Sequence, residues 1–118
     1  MKDDQVPEPT DSVDRPFTVI YRIKVRRGRS NEFVAAAFRC AALLKEFKGS
    51  HGSLLVDCGD ERYVSVSVWP SRRAWLERSR VVIETQEVEA EVAALVEEFV
   101  PAGEFGGSLV FRSLGDLS

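Results

Sequence analysis

The sequence predicts an α+β domain with the element order β-α-β-β-α-β, a four-stranded antiparallel sheet carrying its helices on one face. Three observations lead there. Two stretches, FTVIYRIKV from Phe17 and RYVSVSVW up to Trp69, alternate with the period of two that marks a strand. A turn signal, Gly59-Asp60-Glu61, separates the second of them from another β-type run, SLLVDC, so a hairpin is expected. Two longer segments, one on each side of that hairpin, space their apolar residues as a helix does.

The elements follow in order. Residues 1–15 hold Asp3, Asp4, Glu8, Asp11, Asp14, Pro7 and Pro9, and read as an acidic, loosely ordered tail before a domain at 16–115. In the first strand Phe17, Val19, Tyr21, Ile23 and Val25 share one face, and Thr18, Ile20, Arg22 and Lys24 share the other. Gly28 ends it, and Ser30 is a candidate N-cap with Glu32 favourable in the first turn. Phe33, Ala36, Ala37, Cys40, Leu44 and Phe47 then form one stripe of a helix over 31–47, and Gly49 and Gly52 frame a turn around Ser50 and His51. In the third strand Val64, Val66 and Val68 oppose Tyr63, Ser65, Ser67 and Trp69, and Pro70 closes it. Ser71 can cap a short helix, SRRAWLERS. Val88, Val92, Leu95, Val96 and Phe99 predict a longer helix over 85–99, stopped by Pro101 and Gly103, and SLVFRSL reads as the last strand.

Composition bounds the function. The 118 residues suffice for one hydrophobic core, with 44% hydrophobic and 30% charged residues of ordinary globular proportion. A net charge of −3 argues against bulk phosphate-backbone binding, so no nucleic acid is expected as a partner. No apolar run is long enough for a bilayer and the N-terminus lacks a signal-peptide pattern, which points to no membrane partner and a cytoplasmic location. Cys40 and Cys58 stand in no CxxC pattern, and a single histidine, His51, excludes a multi-histidine metal site within one chain. Arginines cluster at Arg22, Arg26, Arg27 and Arg29 and again at Arg72, Arg73, Arg78 and Arg80. They read as solvated faces or, alternatively, as an anchor for an acidic group on a ligand.

Both faces of the predicted sheet are apolar, and two helices can cover only one. A second copy packing sheet to sheet is the simplest cover, so a homodimer is expected. On the other face Trp69 is in phase with Tyr63, Ser65 and Ser67. Two hydroxyls and an indole N–H are an unusual mixture for a dry core, because buried polar groups need partners. They read as a pocket wall for a flat aromatic ligand, or as a core anchor with serines bonded locally. Tyr21 could donate to a ligand oxygen or simply pack. Trp75 and Phe33 could close the pocket from the helices, or anchor helix to sheet. His51, between Ser50 and Gly52, could act as a base or sit in a solvated turn.

The segments YRIKVRRGRSNEF, GSHG and VSVWPSRRAW together resemble the antibiotic biosynthesis monooxygenase family, in the dimeric α+β barrel superfamily of ferredoxin-like folds. The resemblance covers residues 16–79, with residues 80–112 fitting by element order. It implies a pocket between sheet and helices. It also implies, in the cofactor-independent oxygenases of that family, an Asn on each of two strands and a Trp at the end of the third. The Trp matches Trp69, and Tyr21 and Ser65 stand at the Asn positions. The haem-degrading branch needs a histidine in the helix after the Trp, and ERSRVVIETQEV has none.

The resulting expectation is a monooxygenase without cofactor or metal, acting on an aromatic, quinol or polyketide-like substrate. Tyr21, Ser65 and Trp69 would be catalytic, and Tyr63, Ser67, Trp75, Phe33 and His51 would bind substrate. The alternatives are a non-catalytic ligand-binding module on the same fold and, third, a haem-binding or haem-degrading protein.

Overall fold

The computed structural model describes residues 15–108. The acidic tail and almost all of the expected last strand, from Leu109 onward, lie outside the described residues. Four strands form one antiparallel sheet in the order β2-β3-β1-β4, with β1 at Phe17–Val25, β2 at Gly52–Gly59, β3 at Arg62–Trp69 and β4 at Val96–Gly106. Helix α1 spans Ser30–Lys48, α2 spans Arg72–Leu76 and runs into a 3-10 turn at Glu77–Ser79, and α3 spans Ile83–Leu95.

The alternation in β1 has its expected outcome: Phe17, Val19, Tyr21, Ile23 and Val25 are buried beneath the helices. Phe33 and Ala36 of α1, Tyr63 and Trp69 of β3, Trp75 of α2 and Leu95 of α3 complete that core. Arg39 clamps the two long helices together through Nη2, 2.6 Å from both carboxylate oxygens of Glu91.

Local signals work as read at several points. Ser71 Oγ accepts from the Ala74 amide at 3.0 Å and caps α2. Gly49 takes a left-handed conformation, φ 84°, at the end of α1. The β2–β3 hairpin turns through Asp60 and Glu61, with φ 55° and 62°, the paired positive angles of a two-residue turn that matches strand twist. Ser30 does not cap α1. It is already the first helical residue, the N-cap is Arg29, and no side chain caps that end. Arg29 instead pairs with Glu32 across the first turn, and this ion pair holds the Glu32 carboxyl below its ordinary range.

The larger departure is β4. Helical spacing assigned Val96 and Phe99 to the stripe of α3, with Pro101 and Gly103 as stops. The helix ends instead at Leu95, and the chain turns directly into an eleven-residue strand paired with β1 along its whole length. Two hydrogen bonds fix the switch: Arg26 N donates to Leu95 O and Arg26 Nε to Ala94 O, each at 2.9 Å. These satisfy carbonyls that a helix end leaves open. Pro101 is tolerated because β4 is an edge strand, and a register shift lets Ala102 bulge out between Pro101 and Gly103.

The opposite face of the sheet has no cover among the described residues. Ladder register puts Leu54, Val66 and Ile20 in one cross-strand row, with Val56, Val64, Val68, Val100 and Phe105 around them. Leu54, Val56, Val100 and Phe105 are exposed.

Candidate functional site

The space between sheet and helices is not filled. A cavity of about 410 Å³ lies there, with Tyr21 and Ile23 of β1 and Ser65, Ser67 and Trp69 of β3 as its floor. Its roof is Phe33, Ala37, Cys40 and Leu44 of α1 with Val92 of α3. Trp75, Arg78 and Phe99 close the remaining sides. The lining is mostly apolar, with a few polar groups that converge on one space, the usual make-up of a small-molecule site.

Period-two geometry explains the floor. Tyr21 pairs with Ser65, Val19 with Ser67 and Phe17 with Trp69, so the hydroxyls and the indole all project toward the helices. The Tyr21 ring stacks on Phe99 from β4, centroids 4.4 Å apart and planes at 24°. This contact orients the phenol against the cavity. No hydrogen bond engages the hydroxyls of Tyr21, Ser65 or Ser67 among the described residues.

The two indoles are more telling. Trp69 is 3% exposed and Trp75 is 8% exposed, yet the Nε1 atom of each is buried without a hydrogen-bond partner. A buried, unpaired donor costs on the order of 1–3 kcal/mol. Both rings line the cavity, but each Nε1 atom is enclosed by the surrounding protein. Trp75 is held by Phe17, at 5.5 Å between centroids, and by the Arg78 guanidinium, whose carbon lies 4.1 Å from the ring centroid.

Of the residues read from the sequence, Tyr21, Ser65, Trp69, Ser67, Trp75 and Phe33 all reach the cavity wall. Two do not. Tyr63 is 4% exposed and stays outside the lining, because the Phe33 ring packs against it at 5.1 Å between centroids. His51 is exposed and lies beside Val66 and Val68 on the uncovered side of the sheet, just before β2, with its amide donating to Val68 O at 2.7 Å.

The sequence reading did not identify Phe99, Cys40 and Leu44 as lining, nor Arg78 as a member of it. Phe99 was hidden by its helical spacing. Cys40 and Leu44 read only as core stripe, and Arg78 only as one of a basic group. Burial pushes the Cys40 thiol up to about 11, so it is a neutral lining group and not a nucleophile at neutral pH. Among the described residues no three His, Cys, Asp or Glu side chains cluster to hold a metal ion, and no helix is long and apolar enough to cross a membrane.

An antiparallel sheet of order β2-β3-β1-β4 roofed by helices, with a cavity between the layers, defines a ferredoxin-like α+β domain. The chain belongs to the antibiotic biosynthesis monooxygenase family, whose model matches residues 16–80. No curated protein matches it. Among solved structures it is similar to SnoaB, a cofactor-independent oxygenase from Streptomyces nogalater. The identity is 22%, the TM-score is 0.63, and the match covers 86% of this chain and 99% of SnoaB. It is also similar to a Nitrosomonas europaea protein assigned provisionally to the same family, at 15% identity and a TM-score of 0.65 over 78% of this chain and 89% of that one. A Caulobacter crescentus protein with the same provisional assignment gives 15% identity and a TM-score of 0.65 over 82% and 93%. At these identities the likeness is one of fold.

Proposed function

We propose that the chain is a cofactor-independent monooxygenase that oxidises a flat phenolic or quinol-type substrate in the cavity between sheet and helices. The observation that carries this reading is an apolar cavity of about 410 Å³ floored by Trp69 and by Tyr21, Ser65 and Ser67, whose hydroxyls have no hydrogen-bond partner among the described residues. The chemistry needs little from the protein. An anthrone-like substrate, once deprotonated, is a stabilised carbanion that can pass one electron to dioxygen. Recombination places a peroxide on the substrate carbon, and loss of water leaves a carbonyl there. One oxygen atom enters the substrate and the other leaves as water with the two hydrogens of the former methylene.

The protein contributes orientation and charge stabilisation. Hydroxyls fixed in an apolar cavity stabilise a developing oxyanion better than mobile water does. The Tyr21 hydroxyl is the donor assigned to the substrate oxygen, Ser65 supports the same end, and the Trp69 ring on the same floor packs against the aromatic body of the substrate. SnoaB, described as a cofactor-independent oxygenase, shares this fold, which supports the reading.

The uncovered sheet face supports a second part of the proposal. A row of Leu54, Val66 and Ile20 flanked by exposed Val56, Val100 and Phe105 is a contiguous apolar patch, and a second copy of the chain packing on it forms the working homodimer, a cytoplasmic enzyme.

Oxygen uptake by the metal-free protein, measured against a panel of anthrones and quinols, tests the activity. Uptake that drops in both Trp69→Phe and Tyr21→Phe supports it. Binding seen by tryptophan fluorescence with no uptake on any of the panel makes the chain a ligand-binding module instead.

A further inference from the structure

The turn that joins α2 to α3 exposes aliphatic side chains that the fold itself does not use. Leu76 is 47% exposed, Val81 74% and Ile83 79%. Arg73 and Leu76 lie three residues apart on the outer face of α2, opposite the buried Trp75. The backbone is extended at Arg80 and Val82; Val82 turns inward and is half-buried, while Val81 and Ile83 on either side of it point outward. Three large aliphatics within eight residues of one convex turn are a patch and not scattered surface residues.

The charge around them is positive, in a chain whose net charge is −3. Residues 72–84 hold four arginines against Glu77 and Glu84, and Glu84 sits in the first turn of α3, where the positive end of the helix offsets it. Arg73 and Arg80 are exposed, and neither forms an ion pair among the described residues.

We infer that this turn is a docking surface for an anionic lipid bilayer, with Leu76, Val81 and Ile83 entering the headgroup boundary and Arg73 and Arg80 against lipid phosphates. Protruding aliphatics beside arginines fit a soft, negatively charged medium, which needs no groove to receive them. No helix among the described residues is long and apolar enough to cross a membrane, so the chain lies on the surface, a contact that requires no bilayer-length apolar run. Arg78 and Ser79 of the same turn line the cavity, so the bilayer meets the protein beside the cavity wall. Resting on the reading of that cavity as an oxygenase site, the contact places it next to the phase into which flat apolar phenols partition.

The test is cosedimentation of the full chain with vesicles of pure phosphatidylcholine and of an equal mixture with phosphatidylglycerol. Binding to the mixed vesicles should be stronger by about fivefold for each arginine at the surface, and the difference should fade at high salt. Arg73→Gln combined with Arg80→Gln should erase that difference. Val81→Ser combined with Ile83→Ser should weaken binding to the mixed vesicles by about tenfold or more, as loss of two inserted aliphatic side chains does. All four residues are exposed, so the thermal melts of both double variants should match that of the unaltered protein. Equal binding to both kinds of vesicle, or binding that survives both double variants, overturns the bilayer surface. So does binding of an acidic amphipathic peptide with none to vesicles, which assigns the turn to a protein partner. Vesicle binding does not depend on turnover, so failure here leaves the oxygenase reading intact, and absence of oxygen uptake leaves the docking surface intact.

Discussion

Tyr21 and Ser65 stand directly opposite each other in the β1–β3 ladder, on the helix-covered side of the sheet, with the Tyr21 ring stacked on Phe99. Two residues 44 positions apart in the chain thus present their hydroxyls to one wall of one cavity. The Cβ atoms of direct cross-strand neighbours lie about 5 Å apart, so one bound ligand can touch both residues. Tyr21→Phe and Ser65→Ala should each lower kcat/KM for oxygen uptake by about 100- to 1000-fold, as loss of a single oxyanion donor does. The double variant should lose less than the product of the two, because both act on the same oxygen. Thermal stability should change by no more than ~1 kcal/mol in either, since the ring of Tyr21 and its stacking are retained.

Trp69 should separate stability from function. Its Nε1 is a buried donor with no partner. Trp69→Phe removes that donor at the cost of some packing, so the ligand-free protein should unfold within about 1 kcal/mol of the original. Trp69→Ala, which opens a cavity, should cost about 3–5 kcal/mol. Both should weaken binding of an aromatic ligand. A Trp69→Phe variant as unstable as Trp69→Ala would show that the indole is a structural anchor.

Lys48 holds the end of α1 to two other elements at once, the Arg78 carbonyl and the Glu89 carboxylate. Its own side chain is buried while that of Glu89 is 38% exposed, so the pair is partly screened. Lys48→Met should therefore cost about 1–2 kcal/mol, below the range for breaking a fully buried pair. Denaturant melts of Lys48→Met, Glu89→Gln and the double variant form the cycle that isolates the coupling.

The two cysteines should label at very different rates. Cys58 is exposed, whereas the Cys40 thiol, half-buried on the cavity roof, is pushed up to about 11 by desolvation first and by Glu89 second. At pH 8 only on the order of one Cys40 in a thousand is thiolate. A disulfide reagent should give one fast and one slow phase, and the slow phase should accelerate as pH rises toward 11. The same raised value means that any Cys40 contribution to folding is complete below the thiol's unfolded pKa and is lost as pH climbs through the folded one. An aromatic ligand in the cavity should slow the Cys40 phase and leave Cys58 unchanged.

The uncovered sheet face makes a prediction about mass. Light scattering at micromolar concentration should give twice the 13.2 kDa of one chain. Val66→Glu, at the centre of the row with Ile20 and Leu54, should reduce it to one chain, because a buried carboxylate without a partner costs more than the packing returns. A single-chain mass for the unaltered protein would end the dimer proposal.

Much of the domain was written in local pattern. Period-two alternation fixes which side of a strand is buried, so the buried row Phe17 to Val25 and the floor residues Ser65, Ser67 and Trp69 could be assigned from spacing alone. The cap at Ser71 and the hairpin at Asp60-Glu61 rest on equally local chemistry. β4 was not legible in this way. Val96, Phe99 and Val100 fit a helical stripe as well as a strand, and the choice was made by the unpaired edge of β1, whose backbone groups bond to whatever segment can reach them. The roles of Phe99, Arg78 and Cys40 followed from that choice and from helix docking, which bring together residues far apart in the chain. His51 and Tyr63 show the converse: both have suitable chemistry, but one lies on the uncovered side of the sheet and packing against Phe33 closes the other off. The sequence by itself determined which faces are apolar and where the polar groups interrupt them, because those depend on backbone period. Only the tertiary structure decided which of those groups share a cavity and which lack partners there, because both depend on contacts between distant segments.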